Sequence, residues 1–108
     1  MQILVQVLTS DTRSLRDIII KDKRLSEYGL KVVMQKKSGR SHGWSKIRSS
    51  YPEFNGAINI QWESSSRMLL CRVVTRGYGK ANFIIGSFVD YLLARYSKRI
   101  EAINVIPR

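Results

Sequence analysis

Five cations, Lys36, Lys37, Arg40, Lys46 and Arg48, fall within 13 positions of the chain. His42 and Trp44 lie between them, and no acid occurs from Glu27 to Glu53. Lysine and arginine make salt-dependent phosphate contacts, and an aromatic ring can stack on an unpaired base for ~1–3 kcal/mol. Interleaving of the two types suits single-stranded or structured RNA. The competing reading is a solvated basic loop whose Trp44 folds back onto the core, since tryptophan usually finds apolar cover.

A second cluster is Arg76-Gly77-Tyr78-Gly79-Lys80, between an apolar run and the longest helical pattern. Glycines let backbone approach an anion, and a helix start offers free N–H groups that Lys80 can supplement. The spacing is too short for a Walker A loop, no Ser or Thr follows Lys80, and Gly-x-Gly-x-x-Gly is absent. Two glycines also suffice for a sharp strand-to-helix turn with Tyr78 at the sheet edge. A third surface is the outward set Asn59, Gln61 and Arg72 on two adjacent strands. RNA-recognition sheets carry aromatics there; these strands place none outward, which disfavours that mechanism.

Catalysis has little support. His42 is the single histidine, and the eight carboxylates are spread singly along the chain. No Cys/His ligand spacing and no Gly-x-Ser-x-Gly elbow occurs. Cys71 sits in an apolar run, where a thiol is inert. Nothing calls for a cofactor or a bound metal.

Net charge separates this chain from an ordinary small domain. Nineteen Lys and Arg stand against eight Asp and Glu, a net +11. Such a balance favours nucleic acid first, then an anionic surface or an acidic protein. At 108 residues, 44% of them hydrophobic, the chain suits one domain, 1–108, with one core. One cysteine excludes a disulfide framework and fits a reducing compartment. The N-terminus lacks the basic region and apolar length of a signal peptide, and no stretch is long enough to span a membrane. The expectation is a soluble, cytoplasmic protein.

The elements that must position these residues follow from periodicity. Residues 2–8 alternate as a strand. Ser10 and Asp11 are candidate N-caps for a helix from about residue 12 to Tyr28, closed by Gly29 in the left-handed region. Leu15, Ile18, Ile19 and Leu25 form its apolar stripe, and its mixed charges read as a solvated face. Residues 30–37 form a second strand. Residues 36–56 read as a long basic loop, because glycines and serines break any period. Ile58, Ile60 and Trp62 alternate inward against Asn59 and Gln61. Residues 63–66 then turn the chain into a central strand over 68–75. Ile84, Ile85, Phe88, Val89, Leu92 and Tyr96 make a core-facing helix stripe, and residues 101–106 a last strand.

The expected fold is α+β: a mixed or antiparallel sheet of about five strands with two helices on one face. The order βα-β-ββ-αβ resembles a ferredoxin-like split βαβ arrangement, which hosts RNA binders, ligand sensors and enzymes alike. The leading functional expectation is a non-catalytic domain that binds RNA or single-stranded DNA. Its site residues are Lys36, Lys37, Arg40, His42, Trp44, Lys46, Arg48, Arg76, Tyr78 and Lys80. The alternatives are a homo-oligomeric or protein-binding subunit, using outward Leu4, Leu8 and the strand at 57–62, and a sensor of a phosphorylated small ligand at residues 77–80.

Overall fold

A computed structural model describes residues 2–34, 44–75 and 81–107. Six strands form one fully antiparallel sheet: β1 (Gln2–Thr9), β2 (Leu30–Met34), β3 (Ser45–Ser49), β4 (Ala57–Glu63), β5 (Met68–Val74) and β6 (Ile100–Pro107). Their order across the sheet is β2-β3-β4-β5-β1-β6. Strands β2 to β5 are a meander. The helix α1 (Leu15–Ile20) and a 3₁₀ helix, Lys23–Tyr28, carry the chain from β1 to the far edge. A second helix, α2 (Ala81–Tyr96), carries it from β5 over β1 to β6.

The helices share one face of the sheet. A single apolar cluster joins Val5 and Val7, Ile58, Ile60 and Trp62, and Leu69, Cys71 and Val73 to Leu15, Ile19 and Leu25, and to Ile84, Phe88, Tyr91 and Leu92 of α2. The alternate residues of each strand point to the opposite face, on which no described helix packs. The inward set of β4 is the one its alternation predicts. On α2, Ile84, Phe88 and Leu92 are buried as expected, together with Ala81 and Tyr91.

Three expectations need correction. The sheet has six strands rather than five, because Ser45–Ser49, expected inside the 36–56 loop, is a strand paired with β2 and β4. The expected helix from residue 12 to Tyr28 is two short segments, and the cap of α1 is Ser14, whose hydroxyl accepts from the Asp17 amide at 3.2 Å. The break comes from Asp22. It adopts an extended backbone and accepts from the Arg24 amide at 3.0 Å, starting the 3₁₀ helix in place of a continued α-helix. Gly29 ends that segment at φ 72, as expected. A Cβ there would lie 2.7 Å from Tyr51 Cε2 as well as being strained, so only glycine fits.

Asp22 is also no solvated charge. Its side chain is 5% exposed. Tyr96 and Tyr91 donate to Oδ2 from 2.6 and 2.8 Å, and Arg95 donates Nε to Oδ2 and Nη2 to Oδ1, both at 3.1 Å. Burial pushes this carboxyl up, but the bonds from Arg95, Tyr96, the Arg24 amide and Tyr91 outweigh it and hold it well below the usual range. Burial, then its bonds to Tyr96 and Asp22, pushes the Tyr91 hydroxyl far above its ordinary value. A charge-assisted knot thus fastens the first crossover to the second helix.

Asp22→Ala is expected to cost roughly 3 kcal/mol in urea unfolding, because Arg95 and two tyrosines lose a shared acceptor. Acid should have the same direction of effect. Asp22 and Asp11 both titrate lower folded than unfolded; the bonds from Arg13, its side chain first, bring Asp11 to about 2. Their contribution is therefore complete above the unfolded value of about 4 and is lost as pH falls below it. A wild-type melting temperature that stays level from pH 5 to pH 2, within the ~5 °C that 1 kcal/mol represents, would contradict this.

Candidate nucleic-acid interface

On β3, Ser45 and Ile47 are fully buried while Lys46 and Arg48 face the open side. Trp44 directly precedes the strand, and Lys46 Nζ lies 5.7 Å from the centre of its ring, a cation–π contact. Pairing extends the open face in rows. Lys31, Arg48, Ala57 and Val74 stand abreast on β2 to β5. In the next row Lys46, Asn59, Arg72, Leu4 and Ile106 stand abreast on β3 to β6. At ~4.8 Å per strand, Lys46 and Arg72 straddle Asn59 with their Cα atoms about 10 Å apart.

Lys31 and Arg48 are direct cross-strand neighbours of like charge, a pairing that destabilises a sheet. The ion pairs among the described residues are elsewhere: Arg13–Asp11, Arg16–Asp17, Arg24–Glu27, Arg95–Asp22 and Arg99–Asp11. Four of the eight acids are thereby engaged on the side of the chain that carries the helices and their connections. Among the described residues, Lys31, Lys46, Arg48 and Arg72 have no carboxylate at ion-pairing distance. The open face is not uniformly basic. Gln61 donates to Glu63 at 2.8 Å near the β4–β5 turn, and Leu4, Leu8, Met68 and Leu70 make its β5–β1 half apolar.

A hollow of about 270 Å³ lies in the basic half, lined by Lys46, Arg48, Asn55, Gly56, Ala57, Asn59 and Val74. Ala57, between Arg48 and Val74 in the row, lines it. Asn59 Oδ1 is buried and accepts no hydrogen bond. At the same end of the sheet, Phe54 stacks on Phe83 with ring centres 4.7 Å apart, and Tyr51 meets Phe54 edge-on at 5.8 Å. Tyr51 and Phe83 are both exposed.

Of the ten expected site residues, Trp44, Lys46 and Arg48 lie together on this face. Lys36, Lys37, Arg40 and His42 lie outside the described residues, as do Arg76, Tyr78 and Lys80. The flanks of those segments are informative. Met34 and Trp44 are at one end of the strands, and Thr75 and Ala81 at the other. What runs between the two ends is β3 itself. Arg72, Asn59 and Gln61 face outward as the alternation of β4 and β5 predicts. Lys31 and the Tyr51–Phe54–Phe83 cluster carry no sequence signal of this kind, because they come together only through pairing across the sheet and packing at its end.

Cys71 is buried at the sheet centre, and burial pushes its thiol up, away from the reactive range. Among the described residues no helix is long and apolar enough to cross a membrane. No protein-family model, curated protein or solved structure matches the chain.

Ser45 Oγ is buried without a hydrogen-bond partner. Ser45→Ala is therefore expected to stabilise the fold by about 1 kcal/mol, since an unsatisfied hydroxyl no longer has to be desolvated. A loss of stability in chemical denaturation would instead mean that the hydroxyl is bonded or that Ser45 does not face the core.

Proposed function

We propose that this chain binds single-stranded nucleic acid, RNA or single-stranded DNA, on the open face of its sheet and without catalysing a reaction. The observation that carries the reading is the placement of charge. Lys31 and Arg48 sit side by side at a cost to the sheet, and Lys46 and Arg72 flank them, none with a carboxylate partner among the described residues. A row of phosphates would neutralise such a set and release counterions. Trp44, beside Lys46, supplies a stacking surface at the edge of the row. The six Lys and Arg outside the described residues, with no Asp or Glu among them, add to the same sign.

The fold reading belongs to the same proposal. Strands β4-β5-β1-β6, crossed by the α1 connection and by α2, support a ferredoxin-like order to which the β2–β3 pair is added. The lone buried thiol supports a reducing, cytoplasmic setting. A second reading, an oligomeric or protein-binding subunit, draws on Leu4, Leu8, Met68 and Leu70 on the same face. The strand at 57–62 does not serve it as an edge, because β4 is paired on both sides. Binding of a phosphorylated small ligand draws on Lys46 and Arg48 around the hollow.

Fluorescence anisotropy with a labelled oligouridylate tests the leading reading. Four phosphate contacts predict that affinity falls ~50-fold between about 50 and about 200 mM salt. The triple variant Lys31→Gln, Lys46→Gln, Arg48→Gln should bind more weakly and lose most of that slope. Absence of binding to RNA and DNA at the lower salt would refute the reading.

A further inference from the structure

We infer that the outer edge of β6 is an association site whose occupant is β6 of a second copy of this chain, paired antiparallel about a two-fold axis. The inference stands apart from the nucleic-acid reading above. The two edges of the sheet are not equivalent. Among the described residues, β2 and β6 each have a neighbouring strand on one side only. Such an edge presents unpaired N–H and C=O groups, and proteins blunt it with short strands, lysines and bulges. Strand β2 is five residues long, carries Lys31 and shifts register between Val32 and Met34. Strand β6 is eight residues long and keeps register with β1 from Ala102 to Pro107. Its one charged residue is Glu101, and Pro107 removes a donor only at its end.

Apolar surface accompanies the free edge. Val5 is fully buried, whereas its cross-strand partner Val105 is 48% exposed. The helical layer thus covers β1 and stops short of this end of β6. Ile106, which alternation turns to the opposite face, is 36% exposed. Two large apolar side chains therefore stand on either side of one unpaired backbone edge.

Two properties select a second copy as the occupant. The first is self-complementarity. In a two-fold pairing centred on Asn104, Ile103 stands opposite the partner's Val105, Ala102 opposite the partner's Ile106, and Glu101 opposite the partner's Pro107. Residue i meets j while j meets i, as an isologous interface requires. Opposite residues share a face, so apolar meets apolar on both sides of the sheet. Asn104 meets its own equivalent on the axis, and a primary amide both donates and accepts. No charge stands opposite its like. The second property is electrostatic. At net +11, two copies repel wherever cations meet cations. Strand β6 holds no lysine or arginine and lies four strand spacings from β3. Pairing at β6 keeps the Lys46 and Arg48 rows of the two copies ~43 Å apart, several Debye lengths at physiological salt. Pairing at β2 would instead set the Lys31 side chains of both copies into one seam.

The experiment is sedimentation velocity on the full chain, freed of nucleic acid by nuclease and high salt. At about 200 µM chain, wild type is expected at twice its 12.5 kDa mass. Raising salt from about 0.15 to about 0.5 M should preserve or strengthen the dimer, because screening relieves repulsion between the copies. Asn104→Lys sets like charges opposite each other on the axis and should raise the dissociation constant at least about tenfold. Val33→Lys, a comparable change on the β2 edge, should leave it within about twofold. Asn104 is exposed, so its variant should fold, which circular dichroism checks. In wild type alone, the amides of β6 should exchange hydrogen more slowly at the higher concentration, a readout that needs no variant. A monomer at every concentration overturns the inference. So does a dimer that salt dissolves, one that Asn104→Lys leaves intact, or β6 exchange that ignores concentration. None of these outcomes bears on oligonucleotide binding, which the anisotropy measurement decides separately.

Discussion

The carboxylate of Asp22 holds the architecture in its one-sided form. The sheet has two faces, and the described helices pack on one of them. Which helices cover it, and at what spacing, depends on joining two crossovers that are far apart in sequence. Asp22 does so from the start of the 3₁₀ helix by accepting from Arg95, Tyr91 and Tyr96 near the end of α2. A buried charge with a full set of donors is more geometrically exacting than an apolar contact, because any displacement leaves a desolvated group unpaired. The knot therefore sets the position of α2 over the sheet. No described helix packs on the side opposite.

That asymmetry sorts the charges. Asp11, Asp17, Asp22 and Glu27 pair with arginines in or beside the helical layer and the connections to it. The opposite face receives Lys31, Lys46, Arg48 and Arg72 from three strands. A protein with a net +11 could have spread its surplus evenly. Like charges directly opposite on neighbouring strands are destabilising. Lys31 and Arg48 stand directly opposite each other, and Arg48 borders the hollow.

Much of the fold was legible in the residues. The alternation of Ile58, Ile60 and Trp62, the apolar stripe of α2 and the left-handed Gly29 each report local geometry, and each appears where it was expected. Strand β3 was hidden for a specific reason. Its inward positions are Ser45, Ile47 and Ser49, and the two serines leave a single apolar beat in a five-residue strand. The knot at Asp22 was hidden because an acid among mixed charges looks the same whether its partner is four residues away or 73. Strand order was not legible either: β1 pairs with β5 and β6, while β2, the next strand in sequence, lies at the far edge with three strands between them. Of the candidate site, Trp44, Lys46 and Arg48 were legible by composition. Their arrangement as one face of a strand was not.

Placing the cations on a strand rather than in a loop changes what they can discriminate. Cations on a loop adapt to any polyanion and pay the ordering entropy on contact. Cations on β3 are held in register with Asn59 and Arg72 by main-chain pairing on both sides, so the order is already present before a ligand arrives. Flexible lysine-rich segments bind by charge count and select poorly. A fixed array of charges, by contrast, favours partners whose own charges match its spacing. The sheet supplies that fixity only because its other face is fully packed. The same covering that leaves one side open also holds that side in a fixed arrangement.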